Sequence, residues 1–316
     1  MDRRQYLTAT SGAITTFCLA GCSSSDDGVD EDKAAQHMQT AGEELKQANT
    51  ALSQEGDKFQ KADIEGTGVD VQTTTVVPHL DAAEEELDTA ETTASEAQQT
   101  EIDAAKDWIS LARSMIEFLN IFAEGYTEVT TSYTYFESER YEKAAETLKK
   151  AGNSLESADE SLTVVRERNS RLSTTAGDVI DQVNLTTLEA DIDTLAEQLD
   201  ALIELADGYR KMSLGMVDYE AASAAIDNEQ YTKAESDFQK AQEHFTTSES
   251  VFTNLEGSAP NTVKSSVIEL TCYAGALKEA SAHFATAAEA LADGDRETAN
   301  EEAEMGQNAL DQCDFN

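Results

Sequence analysis

Proline is almost missing from this chain, with 2 in 316 residues, and glycine numbers only 16. So few turn residues exclude collagen-like and Pro-rich low-complexity classes. They also argue against a β-sandwich or a dinucleotide-binding domain, which need frequent turns. Basic residues are scarce: 22 Lys and Arg stand against 63 Asp and Glu, for a net charge of −41. Such a surface repels phosphates, so nucleic acid is excluded as a partner. Binding of anionic lipid by the protein surface is excluded for the same reason. Aromatics make up 6% of the chain. Much acid with few aromatics is also the composition of disorder, but the apolar periodicity described below opposes that.

Signatures of catalysis are missing too. There is no Gly-x-Ser-x-Gly, no P-loop and no dinucleotide fingerprint. The four histidines are His37, His79, His244 and His283. None stands in His-x-x-x-His or in a di-iron Glu-x-x-His pair, so they read as surface or boundary residues. The many adjacent carboxylates read as solvated faces, because a catalytic pair must be held in a cleft. The sequence therefore assigns no catalytic residue, no cofactor and no metal site.

What is present is helical patterning. From 101 to 138, Ile102, Ala105, Ile109, Ala112, Ile116, Leu119, Ala123, Tyr126 and Tyr133 recur at spacings of three and four. Trp108, Met115, Phe122, Val129 and Phe136 recur every seven. Together they form an apolar stripe wide enough to touch two neighbouring helices. Thr100 with Asp103 is the expected start cap. The stripe returns 83 residues later, with Ile109 matching Ile192, Leu119 matching Leu202, Tyr126 matching Tyr209 and Phe136 matching Tyr219. Thr186 with Glu189 offers a second capping box. The offset then becomes 90, with Tyr141 matching Tyr231, Leu148 matching Phe238 and Leu155 matching Phe245. The difference of one heptad implies an insertion of two turns that keeps the apolar face. A third copy lies 65 residues further on, with Leu205 matching Leu270, Tyr219 matching Phe284 and Ile226 matching Leu291.

The expected fold class is therefore all-α, with long antiparallel helical hairpins repeated in tandem. Stacking into a solenoid and wrapping into an elongated bundle both remain open. Gly125 and Gly208 sit in the middle of two long helices, where Gly costs about 1 kcal/mol relative to Ala. Close approach of another helix, or a kink, would account for them. Residues 33–99 also look helical, with a stripe through Met38, Ala41, Leu45, Ala48 and Leu52, a break at Gly66-Thr67-Gly68, and Pro78 at a helix start. The return helices carry Tyr141-Glu-Lys143-Ala144 with Leu148 and Ala151, and Tyr231-Thr-Lys233-Ala234 with Phe238 and Ala241. They resemble the second helix of a tetratricopeptide repeat, although the period is not 34 residues and the closing Pro is missing. That resemblance implies a protein-binding scaffold.

The N-terminus reads as an address. Arg3-Arg4-Gln5-Tyr6-Leu7 precedes a weakly apolar stretch, Thr8 to Ala20, and then Leu19-Ala20-Gly21-Cys22. The first motif resembles a twin-arginine export signal, with Tyr where Phe is common, and the second resembles a lipobox. The resemblance implies removal of residues 1–21, lipidation of Cys22, and a body anchored on the extracellular face of the cytoplasmic membrane. The apolar stretch is far below the ~20 residues that span a bilayer. Residues 22–32 would be a flexible acidic tether, reaching at most roughly 35 Å at ~3.5 Å per residue. Helical lipoproteins of the imelysin type carry Gly-x-His-x-x-Glu, which is absent here. Abundant Asp, Glu, Ala and Thr with scarce Lys resemble proteins of halophilic archaea. In molar salt the Debye length falls to about 3 Å, so carboxylates stop repelling at range.

Three smaller features complete the reading. With Cys18 removed and Cys22 lipidated, Cys272 and Cys313 remain. A turn near Gly294 would bring them level across an antiparallel pair, and export permits a disulfide. The heptad register, however, puts Cys272 beside the stripe, so both outcomes stay open. Asn184-Leu-Thr186 is a glycosylation sequon in a connection. Asp293, Asp295, Glu297 and Glu304 match calcium-loop positions 1, 3, 5 and 12, but Thr298 stands where the loop needs Gly. That segment reads as helix.

The expected organisation is a signal over 1–21, a tether over 22–32, a helical segment over 33–99, and hairpins over 100–172, 173–258 and 259–316. The expected function is a non-catalytic, lipid-anchored cell-surface scaffold. Its expected partners are the membrane, through the lipid on Cys22, and another surface or membrane protein. The alternative is a helical extracytoplasmic binding protein for a small ligand or metal ion.

Overall fold

The structure is a computed structural model, and it describes residues 31–62, 66, 68–172, 185–260 and 263–313. Among the described residues there are eight α-helices and no strands: α1 Glu31–Lys61, α2 Val77–Glu91, α3 Glu96–Glu137, α4 Tyr141–Arg171, α5 Leu185–Asp227, α6 Tyr231–Glu256, α7 Lys264–Asp293 and α8 Arg296–Leu310. The fold class is all-α, built of antiparallel hairpins in tandem. None of the described helices is long and apolar enough to cross a membrane.

The chain divides into two units. One comprises the part of α1 up to Leu52, all of α2, α3 up to Arg113 and the end of α4 from Arg168. Its core is the stripe Ala34, Met38, Ala41, Leu45 and Ala48 of α1, met by Leu80, Ala83, Leu87 and Ala90 of α2 and by Ile102, Trp108 and Ile109 of α3. Pro78 occupies the first turn of α2, where its missing N–H costs nothing. The acidic pair Glu31-Asp32 forms the first turn of α1. Helix α1 therefore begins two residues before the helical segment expected from residue 33, because carboxylates at a helix N-terminus are favoured by the dipole. The start of α3 also differs from the expected cap. Thr100 lies inside the helix and its Oγ1 donates to Glu96 O over 3.3 Å. The cap is Ser95, whose backbone N–H donates to Gln98 Oε1 over 2.9 Å, one arm of a capping box. Likewise α5 starts at Leu185, which puts Thr186 inside its first turn.

The other unit holds residues 53–73, 114–167 and 190–316, including the turn ends of hairpins α3–α4 and α5–α6 and all of α7–α8. The three turns are copies of one another. Each has a single left-handed residue, Glu139 (φ 55°), Glu229 (φ 57°) or Gly294 (φ 81°). Each closes with the same two hydrogen bonds. Glu139 N donates to Phe136 O and Arg140 N to Tyr135 O; Glu229 N donates to Ile226 O and Gln230 N to Ala225 O; Gly294 N donates to Leu291 O and Asp295 N to Ala290 O. This pairing is the Schellman motif, which satisfies the last carbonyls of a helix. The left-handed residues fall at the offsets of 90 and 65 read in the sequence.

The turn geometry corrects the offset of 83 along the long helices. Gly125 and Gly215 both lie 14 residues before the left-handed residue of their turn. Their neighbours Leu155 and Phe245 both lie 16 residues beyond it. Hairpins 1 and 2 are therefore equivalent at 90 on both arms, with no insertion at this end. A heptad shift leaves an apolar stripe almost unchanged, which is why 83 also fitted.

Candidate functional site

Small residues bring the two arms of each hairpin together, and buried rings join one hairpin to another. At Gly208 the close approach lets Ser248, fully buried, donate its hydroxyl to Gly208 O over 2.8 Å. Phe136 sits at the centre of an aromatic junction, with ring centroids 5.0 Å from Tyr141, 5.1 Å from Tyr209 and 6.2 Å from Tyr273. It thus draws one ring from each hairpin. Burial pushes the Tyr141 phenol up to about 12, helped by Tyr273, Glu139 and Glu220. Burial also raises Tyr209 and Tyr273, with Glu137 adding to both. Glu220 is raised by burial and then by Glu139 and Glu142. The junction therefore keeps its phenols protonated and neutral beneath an acidic rim. A second cluster joins Phe238, Phe284 and Tyr219 over Ala222, Ala225, Ala234, Ala285 and Ala288.

All four histidines bridge neighbouring helices to a carboxylate. In the first unit the bridging is reciprocal. His37 of α1 meets Glu86 of α2 at 2.5 Å, and His79 of α2 meets Glu44 of α1 at 2.6 Å. His283 of α7 meets Glu302 of α8 at 2.8 Å, and His244 of α6 lies 3.5 Å from Asp218 of α5. Sequence reasoning missed these pairs, but a signal exists. Each partner helix in the first unit carries His and Glu seven residues apart, His37 with Glu44 and His79 with Glu86. Two antiparallel copies of that spacing pair crosswise.

Several basic residues pair with carboxylates of a neighbouring helix or of their own. Arg113 bridges Asp81 and Glu84, while Lys106 bridges Asp88 and Glu91. Asp81, Glu84 and Asp88, with Glu85, line an open depression on α2. Asp237, only 6% exposed, accepts from Lys233 at 2.5 Å and Lys240 at 2.6 Å. Burial would raise its pKa, but the two lysines outweigh burial and the net shift is downward.

The sequence-predicted residues fall as follows. Arg3, Arg4, Leu19, Ala20, Gly21 and Cys22 lie outside the described residues, as does Asn184. Cys272 and Cys313 are joined by a disulfide with Cα atoms 6.1 Å apart. Asp295 is the N-cap of α8. Its carboxylate accepts from Thr298 N at 3.2 Å and from Thr298 Oγ1 at 2.7 Å, and these bonds lower its pKa. Among the described residues no three His, Cys, Asp or Glu side chains are placed to hold a metal ion. Phe59, Phe122, Tyr126, Gln198, Leu202 and Val263 line a cavity of about 10 Å³, room for one water molecule.

No protein-family model matches this chain, and neither the curated proteins nor the solved structures compared with it include a match.

Proposed function

We propose that this protein is a non-catalytic scaffold, anchored by a lipid on Cys22 to the extracellular face of the cytoplasmic membrane, that holds another surface or membrane protein. The observation that carries the reading is the threefold repetition of one hairpin with one turn. Tandem hairpins that contact their neighbours offer long, laterally continuous faces, the form in which repeat proteins present binding surfaces. The acidic surface, −41 in total, favours a partner with basic or salt-tolerant polar contacts over nucleic acid.

The anchor is tested by fractionating cells that express the wild-type chain or Cys22→Ser. The reading predicts wild-type protein in the membrane, with a mature N-terminal peptide that begins at Cys22 and carries the mass of a lipid. It predicts that Cys22→Ser leaves the membrane fraction. An unmodified, internal Cys22 in the mature protein would overturn the reading.

A further inference from the structure

We propose that α8 is a latch on the second unit, held shut by the Cys272–Cys313 disulfide and released by reduction. This inference is independent of the proposed function. Helix α8 has 15 residues and buries only Ala299, Gly306 and Ala309. Its largest apolar side chain, Met305, is 49% exposed. A helix of this length is marginal in water on its own, and three small residues give it little apolar area to bury. Neighbouring α7, by contrast, buries Val267, Ala274, Leu277, Ala280 and Ala288 along its length. It is also tied to α6 by Lys278–Glu249 at 2.6 Å and by the Phe238–Phe284 ring pair.

Two ends hold α8 in place. One is its turn, with Gly294 left-handed and Asp295 capping the first turn. The other is the disulfide just past its last residue. Between them lie the His283–Glu302 pair and the contact of Gly306 with the Phe284 ring, where a Cβ would stand 2.9 Å from Cε1. Cys272 is exposed and Cys313 half-buried, so the bond is open to a reductant. An external dithiol would attack one sulfur as the thiolate, break the S–S bond, and release the second sulfur through its own ring closure. Cys272 and Cys313 become thiols, and the reductant becomes a disulfide. Closing a loop of this kind shifts the balance toward the closed form by roughly 30- to 900-fold. Its loss frees the far end of α8 and lifts Gly306 from Phe284.

The test is amide hydrogen exchange on the full chain in its native salt, before and after treatment with dithiothreitol, with thiol labelling to confirm two free cysteines. The latch predicts that α8 amides lose protection by roughly tenfold or more while α6 and α7 keep theirs. Cys313→Ser should reproduce the reduced pattern without reductant. The proposal is overturned if α8 protection changes by less than twofold once both thiols are free. It is also overturned if α6, α7 and α8 lose protection together, or if the bond resists dithiothreitol in the folded protein.

Discussion

Gly125 of α3 lies directly against Leu155 of α4: a Cβ on Gly125 would stand 2.8 Å from Leu155 Cγ and 3.3 Å from Leu155 N. Gly215 meets the Phe245 ring in the same way, at 2.5 Å from Cε1. Glycine here lets two helices approach to backbone distance. Gly125→Ala should therefore destabilise by about 1–2 kcal/mol, overpacking outweighing the gain in helix propensity. Gly152, also mid-helix, has nothing within 4 Å of a Cβ, so Gly152→Ala should stabilise by about 0.5–1 kcal/mol. Urea midpoints in constant salt decide the matter, and equal effects of one sign at both positions would contradict it.

The three turns supply an internal control. Glu139 and Glu229 hold the left-handed conformation that Gly294 holds in the third copy. A residue with a Cβ pays about 1 kcal/mol there. Glu139→Gly and Glu229→Gly should each raise stability by about 0.5–1 kcal/mol, and Gly294→Ala should lower it by about 1 kcal/mol. Thermal midpoints that move in the opposite order would show that the turns are not equivalent.

The tyrosine junction makes the molecule sensitive to alkali. Tyr141 is raised from 10.0 to about 12 in the folded chain. Its contribution to stability is complete below the unfolded value and is lost as pH rises through about 12. Ultraviolet titration of the phenolates should show a late group coincident with loss of helicity, and Tyr141→Phe should move that unfolding to higher pH. A single phenolate transition near pH 10, with helicity intact, would contradict the burial of these rings.

Asp237 sets an opposite dependence. Its pKa lies below 3.8 in the fold, so its contribution is present above 3.8 and is lost as pH falls through the depressed value. Asp237→Asn should cost about 1 kcal/mol near neutrality, a modest figure because both lysine partners face solvent. The gap between variant and wild type should close in acid. A gap that persists at pH 2 would assign the effect to packing.

Salt should matter as much as pH. With 63 acidic residues against 22 basic ones, and Arg113 and Lys106 each already bridging two carboxylates, lowering the ionic strength lengthens the range of carboxylate repulsion. Circular dichroism should lose helical signal on desalting and regain it when salt is restored. Unchanged spectra would refute adaptation to concentrated salt.

Much of this fold could be read from apolar spacing. The stripe through Ile102–Phe136 lies within α3, the Tyr-x-Lys-Ala segments at Tyr141 and Tyr231 open α4 and α6, and the turn expected at Asp293-Gly294-Asp295 is where Gly294 turns left-handed. The offset along the long helices could not be read, because Tyr126 aligns with Tyr209 or Met216 equally well when the register shifts by a heptad. The cap at Ser95 was hidden by sparse apolar residues before Ile102. The His37–Glu86 and His79–Glu44 pairs depend on the register of α1 against α2, which no single helix encodes. The aromatic junction is likewise a product of three hairpins meeting, and Phe136, Tyr141, Tyr209 and Tyr273 share no local motif.

The central claim, that this chain holds a protein partner at the membrane, is tested most directly by crosslinking on intact cells in their native salt, followed by mass spectrometry. A carboxylate-to-amine coupling suits a surface with 63 acidic residues. The account predicts reproducible crosslinks from the outer faces of the hairpins to one membrane or surface protein, lost when Cys22→Ser removes the chain from the membrane. Crosslinks confined to the chain itself, unchanged by Cys22→Ser, would contradict it.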